Sequence, residues 1–372
     1  MQNVGKTLII GLFVVGLAGA VGYSAWNKKA TEEAKSSVEQ TKNNKVVLNG
    51  IITSEKESFL KDERVKKIFQ DNNLEVNFER WTSDKIVTAQ TVKDFGASGD
   101  FVFPSGVQAS DKIKQTIKGA QAYNMFYSPM VIATWTPIVN ILEANNLIKT
   151  GAQYKSLDME KFFPLMSNKI KWKELKQSES YPVNKNVLIY TSDSRFSNSS
   201  KMFIALAGYV YNKSDVVTTD AQADAVIPKI KQLMDSQGSR ESSSINLFMD
   251  YTSVGIGKAP LIFVYESQIA EYAIKNKGLN AEMAFIYPSP TLFTKHVLIT
   301  FNEKSQRLVD LLSNNEELKK IAADYGFRFT GNNSLIEKAK SVGVNIPVSL
   351  VDVVDPPSFD VLEKIIQAVE TK

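Results

Sequence analysis

The sequence predicts an α/β protein of two lobes carried behind an amino-terminal apolar segment. Three observations carry that reading. From residue 45 onward, short apolar runs of strand type alternate with helical periodicity, the pattern of sheets flanked by helices and of parallel strand order. Two strongly apolar runs, Ser128–Trp135 and Leu261–Glu266, bracket a central third that has strands and helices of its own. The chain has 372 residues, 43% of them hydrophobic and 23% charged, which is enough for two lobes with separate cores.

Composition narrows the chemistry. With no cysteine and a single histidine, His296, the chain lacks disulfides, zinc–thiolate clusters, thiol nucleophiles and the parts for most catalytic triads. It also lacks the cysteine of a lipoprotein-type anchor. The net charge of +4 is dispersed along helices that also carry Glu and Asp, so nucleic acid is not an expected partner. Gly255 and Gly257 lack the third glycine of a dinucleotide fingerprint, and no phosphate-cradling G-x-x-x-x-G-K run occurs, so no cofactor is expected. His296 reads as structural.

Residues 7–26 are uncharged and strongly apolar, and twenty residues at 1.5 Å rise span about 30 Å, a bilayer core. They are expected to form a membrane anchor, with a cleavable signal as the alternative at Ala18–Ala20 or Tyr23–Ala25. Either way the body of the protein lies outside the cytoplasm, in the periplasm or at the cell surface. Residues 27–44 are polar, without large apolar side chains, and read as a tether.

The folded part opens with a strand over Val46–Ile52. Ser54 and Glu57 then have the spacing of a capping box ahead of a helix that buries Phe59, Val65, Ile68 and Phe69 and ends near Asn72. Leu74–Phe78 alternates as a second strand, a helix follows Ser83, and Asp100–Phe103 is a third strand closed by Pro104-Ser105-Gly106. Hydroxyls at Ser54 and Ser105 therefore stand at strand ends, where open α/β sheets bind ligands. Thr136-Pro137 starts a helix with proline in its first turn. Val187–Tyr190 reads as a buried strand, followed by the Ser-rich loop Thr191–Ser200 and a helix buried through Met202, Phe203 and Leu206. Ser197, Asn198 and Ser199 are good cap types at its start, and the free N–H groups and dipole there suit an anion. A further helix covers Ala221–Met234, and Ser267–Lys277 makes another, closed by Gly278. Ala284–Pro288 and Val297–Phe301 are strands, and a last amphipathic helix is carried by Val361, Leu362, Ile365 and Ile366.

The strings SEKESFL, YSPMVIATW, YTSDSRFSNSS, GIGKAPLIFVYESQ, YPSPTLFTKHVLITF and YGFRFTG, in that order, resemble the type II periplasmic solute-binding proteins. The resemblance covers about residues 45–331. It implies a two-lobed fold, with residues 45–135 and 267–331 as lobe 1, 136–266 as lobe 2 and 332–372 as a helical tail behind the 1–26 anchor and 27–44 tether. It also implies a small-molecule or ion ligand held between the lobes, and a transporter permease or a membrane sensor as partner. The matching ligand positions are Ser54, Ser105, Asp193, Arg195, Ser197, Ser199, Tyr265 and Glu266. The expected function is that of an exported, membrane-tethered binder of a small polar, anionic ligand rather than an enzyme. A catalytically silent interaction module or a transferase on the same fold are the alternatives.

Overall fold

Residues 45–371 are described in the computed structural model; the anchor and tether predicted over residues 1–44 lie outside them. The strands are β1 Val46–Ile52, β2 Leu74–Arg80, β3 Phe101–Phe103, β4 Gln121–Trp135, β5 Ile148–Thr150, β6 Lys155–Asp158, β7 Ile262–Tyr265, β8 Met283–Ser289 and β9 Phe293–Thr300. They join one sheet in the order β2-β1-β3-β9-β4-β8-β6-β5, with β7 also paired to β4.

β4 organises this sheet. Its first part, Gln121–Pro129, pairs with β9, while Met130–Ala133 pairs with β7 and Ile132–Trp135 with β8. The apolar run Ser128–Trp135 is therefore only the buried half of a longer strand. Its other half, beginning at Gln121, carries Asn124 and exposed positions that interrupt the apolar signal. The sheet is mixed rather than parallel. β1 runs parallel to β2 and β3, and β6 to β8. β9 follows β8 after a short connection and runs against β3 and β4.

Side-chain alternation puts a core on each face of the β1–β3–β9 part, because successive strand residues point to opposite sides. Leu48, Ile52, Phe101, Phe103 and Leu298 pack on one face with Phe59, Phe126 and Phe327. Ile51, Val102, Val297 and Ile299 pack on the other with Ile86 and Phe95. A larger core gathers the second half of β4, β7, β8 and the helices Asn198–Tyr211 and Asp220–Asp235. The final helix, Phe359–Glu370, joins this core through Val361, Leu362, Ile365, Ile366 and Val369.

Several local expectations need correction. Val187–Ile189 are buried as predicted, but the segment is not a ladder strand. Val187 N–H donates to Ile170 (2.7 Å), while Tyr190 forms a single bridge to β7, so its backbone is divided between two neighbours. The capping box does not form: Ser54–Lys56 is a 3-10 turn without a side-chain cap. Glu57 instead pairs with Lys61 (2.6 Å) and Arg80 (3.1 Å). The helix expected to follow is split into Glu57–Lys61 and Glu63–Asp71 by Asp62, whose carboxylate accepts from Arg64 N–H and caps the second piece.

Candidate functional site

The carboxyl ends of β1 and β2 open onto a cleft of about 510 Å³. One wall is the pair of turns that leave these strands, Thr53-Ser54-Glu55 after β1 and Trp81-Thr82-Ser83 after β2, together with Arg80. The opposite wall comes from the other core: Phe196-Ser197-Asn198 and Ser242–Asn246. These two pieces are the amino-terminal starts of the helices Asn198–Tyr211 and Ser244–Ser253. A cavity of similar size, about 460 Å³ around Lys45, Phe69 and Glu75, lies at the amino ends of β1 and β2 and meets neither helix start.

Hydrogen bonding explains why the Ser-rich loop folds as it does. Ser199 Oγ lies 2.9 Å from Ser192 Oγ and 3.1 Å from Ser197 Oγ, and Ser200 Oγ donates to Thr191 Oγ1 at 3.3 Å. Thr191 in turn donates from N–H and Oγ1 to Gln237 Oε1 (2.8 and 3.0 Å). These buried hydroxyls bond one another because each lacks water as a partner. The first helical turn itself receives no side-chain cap from Ser197, and Ser197 and Asn198 at its start line the cleft. Ser243, by contrast, accepts from Asn246 N–H at 3.2 Å.

Asn198 ties the two cores together. Its Nδ2 donates to Tyr265 Oη (3.2 Å) and Thr294 Oγ1 (3.4 Å). Gly106 permits this approach: at φ +93°, a Cβ there would stand 2.6 Å from Asn198 Oδ1.

Under the β1 turn lies a fully buried lysine. Lys56 Nζ donates to Thr53 Oγ1 (2.6 Å), Ser105 Oγ (2.9 Å) and His296 Nδ1 (3.2 Å), and Glu55 Oε2 stands 3.6 Å away. Burial lowers its pKa to about 8 against the opposing pull of Glu55. Burial, aided by the Lys56 charge, holds His296 neutral with its pKa well below the usual value. With Lys56 charged, Nδ1 can only accept, so the proton of the neutral ring is on Nε2, for which the described residues offer no partner. The single histidine is thus occupied as an acceptor and not free as a general base.

The eight predicted residues divide by depth. Ser54 and Ser197 line the cleft. Ser105 and Ser199 are buried one layer behind it, in the two hydroxyl networks above. Asp193 and Arg195 are not among the lining residues and hold each other. Arg195 Nε donates to Asp193 Oδ1 (2.9 Å) and Nη2 to Oδ2 (2.5 Å), with the Arg195 side chain 57% exposed. Burial works against Asp193's charge, but the bonds from Arg195 more than offset it and lower the pKa. Tyr265 is buried and reaches Asn198; burial, then the Glu55 charge, pushes its hydroxyl pKa well up. Glu266 is buried under a bidentate pair with Arg328 (2.6 and 2.8 Å) and accepts from Tyr287 Oη (2.5 Å), so its carboxylate is already satisfied. Sequence reasoning passed over Lys56, Asn198 as a bridge, Trp81 and Ser242–Asn246. The serines before Ile245 carry a cap signal that marks the last of these, whereas nothing local marks Lys56 as buried. Among the described residues no group of three or more His, Asp or Glu side chains is placed to hold a metal ion.

No protein-family profile matches the sequence, and no curated protein matches it. Solved structures do match. AfuA from Actinobacillus pleuropneumoniae, a periplasmic binding protein solved with fructose-6-phosphate, is 12% identical with a TM-score of 0.55 over 86% of this chain and 97% of its own. Iron-bound HitA from Pseudomonas aeruginosa is 10% identical with a TM-score of 0.54 over 88% and 100%. The substrate-binding protein of an ABC transporter from Agrobacterium tumefaciens is 12% identical with a TM-score of 0.53 over 88% and 96%. At these identities the likeness concerns the fold: this chain has the α/β fold of the periplasmic solute-binding proteins.

Proposed function

We propose that this protein is an extracytoplasmic solute-binding protein that captures a small polar, anionic ligand between its two α/β lobes. The ligand then passes to a transporter permease or a membrane sensor. The single observation that carries the reading is the polar cleft itself. Two helix starts from one core and two βα turns from the other converge on about 510 Å³ at the carboxyl ends of β1 and β2. Open α/β sheets bind ligands at that place, and helix N-termini favour negative charge there. Arg80 on the wall and the buried Lys56 beneath add positive charge, partly balanced by Glu57 and Glu55. Ser54 and Ser197 supply hydroxyls facing the ligand; Ser105, Ser199 and Tyr265 support the walls from behind. β4, which pairs with β7 and β8 of one core and with β9 of the other, is the connection about which the lobes close. Residues 7–26 hold the protein in the membrane.

A thermal-shift screen over phosphate, sulfate, sugar phosphates, organic acids and amino acids tests the ligand class. A stabilising anion that saturates and is not turned over supports a binder. Stabilisation by no compound in the screen favours an interaction module, and turnover of a hit favours an enzyme. Recovery of intact protein, amino terminus included, in the membrane fraction after a high-salt wash tests the anchor.

A further inference from the structure

The helix Phe359–Glu370 ends in a carboxylate where the helix dipole disfavours one. Glu370 is nevertheless largely buried, its side chain 9% exposed, and it makes two bonds to two different loops. Ser194 Oγ donates to Oε1, and Arg240 Nη2 donates to Oε2 at 2.6 Å. Ser194 belongs to the loop that delivers Phe196-Ser197-Asn198 to the cleft, and Arg240 to the loop that delivers Ser242–Asn246. The loops also bond each other, Thr191 to Gln237 and Asp193 N–H to the Glu241 carbonyl at 2.7 Å. The helix itself is fixed from behind by Lys231, whose Nζ donates to the carbonyls of Val369 (3.2 Å) and Thr371 (2.6 Å). It touches the other wall's lobe as well, since Lys112 stands over the Phe359 ring at 5.3 Å and Gln108 Nε2 donates to the Pro357 carbonyl at 3.4 Å.

We propose that the final helix is the back support of the cleft, with Glu370 a positioning residue that holds both helix-starting loops at once. This rests on the solute-binding reading for its purpose but not for its test. Each loop alone has few apolar anchors and would open locally, as segments held by few contacts do. A charged acceptor shared by both makes their positions interdependent, so the two helix starts face the cleft in a fixed relation. Without Glu370, Arg240 would keep only the more distant Asp193 carboxylate as a counter-charge, which makes its burial costly.

Hydrogen exchange read by mass spectrometry on the full chain, without any ligand, tests the proposal. Glu370→Gln should speed exchange in both 191–197 and 238–243 by at least about tenfold, the factor expected for losing a buried charged hydrogen bond. Ser194→Ala should speed only 191–197. Glu363→Gln, which removes the Lys201 pair at 3.5 Å on the same helix, should leave both loops unchanged. A uniform rise across β4, β7 and the whole lobe in Glu370→Gln would show plain destabilisation and overturn the positioning role. Unchanged exchange in the two loops would overturn it also. Because no ligand enters the measurement, a failure of the ligand reading would leave this result standing.

Discussion

Replacing Lys56 with methionine isolates the fully buried ammonium at the junction of β1, β3 and β9. In the folded protein its pKa falls from 10.5 to about 8, mainly because burial disfavours the charged form. At about 1.36 kcal/mol for each pH unit, that drop corresponds to about 3 kcal/mol of destabilisation while the lysine is charged. The sign follows from proton counting. Between pH 8 and 10.5 the unfolded chain binds the Lys56 proton and the folded chain has lost it, so stability rises with pH across that window. Below pH 8 both states hold the proton and the penalty is constant. The variant lacks this gain. Its own cost at pH 7 is small, because Thr53 and Ser105 lie 3.1 Å apart, Ser105 also donates to Glu55, and His296 Nδ1 keeps Ser105 Oγ at 3.3 Å. At most one buried acceptor is left unserved, costing about 1–3 kcal/mol, against about 3 kcal/mol of relieved burial. The two proteins should therefore differ by less than about 3 kcal/mol at pH 7. From pH 7.5 to 10.5 the difference should move by about 3 kcal/mol in favour of the wild type. Urea unfolding followed by tryptophan fluorescence at four pH values measures it. Taking the difference cancels Tyr265 and Tyr287, whose raised pKa values act in the opposite sense at high pH. A difference that stays flat over the window would refute the buried, charged Lys56.

Three further outcomes are expected. Arg195→Ala should leave the affinity of any cleft ligand little changed, since Arg195 is exposed, lies outside the cleft lining and is spent on Asp193; calorimetry checks it. Gly106→Ala forces a left-handed φ on alanine and drives a methyl into Asn198, so it should cost at least about 1 kcal/mol of stability in urea titration and weaken ligand binding. Arg328→Met should cost about 3–5 kcal/mol by leaving Glu266 buried and unpaired, while the double variant Arg328→Met, Glu266→Gln should recover much of the loss in the same titration.

Much of this architecture is written in local pattern. Leu74–Phe78 and the last helix on Val361, Leu362, Ile365 and Ile366 follow from period-two and period-3.6 apolar spacing, and both form where that spacing puts them. Ser197 and Ser54 are legible as cleft residues because hydroxyls at strand ends and helix starts sit where an α/β sheet meets its ligands. Other features were not legible because their cause is non-local. The Val187–Tyr190 run has the composition of a strand, yet strand formation needs a neighbour along its whole length, and the neighbours here are Ile170 at one end and β7 at the other. Arg195 has the chemistry of an anion clamp, and only the fold of its own turn shows its donors already taken by Asp193.

By itself the sequence determined the alternation of strands and helices, the apolar faces and the chemical repertoire, because these depend on residues near one another in the chain. The same local patterning marks residues 7–26 as an apolar segment. The tertiary structure alone decided that Lys56 would be buried against Ser105 and His296, 49 and 240 residues away, and that Glu370 would reach back 176 residues to Ser194. A lysine and a glutamate carry the same local signal whether solvated or enclosed. Which it is depends on the desolvation and partners that distant segments bring, and those exist only once the chain is folded.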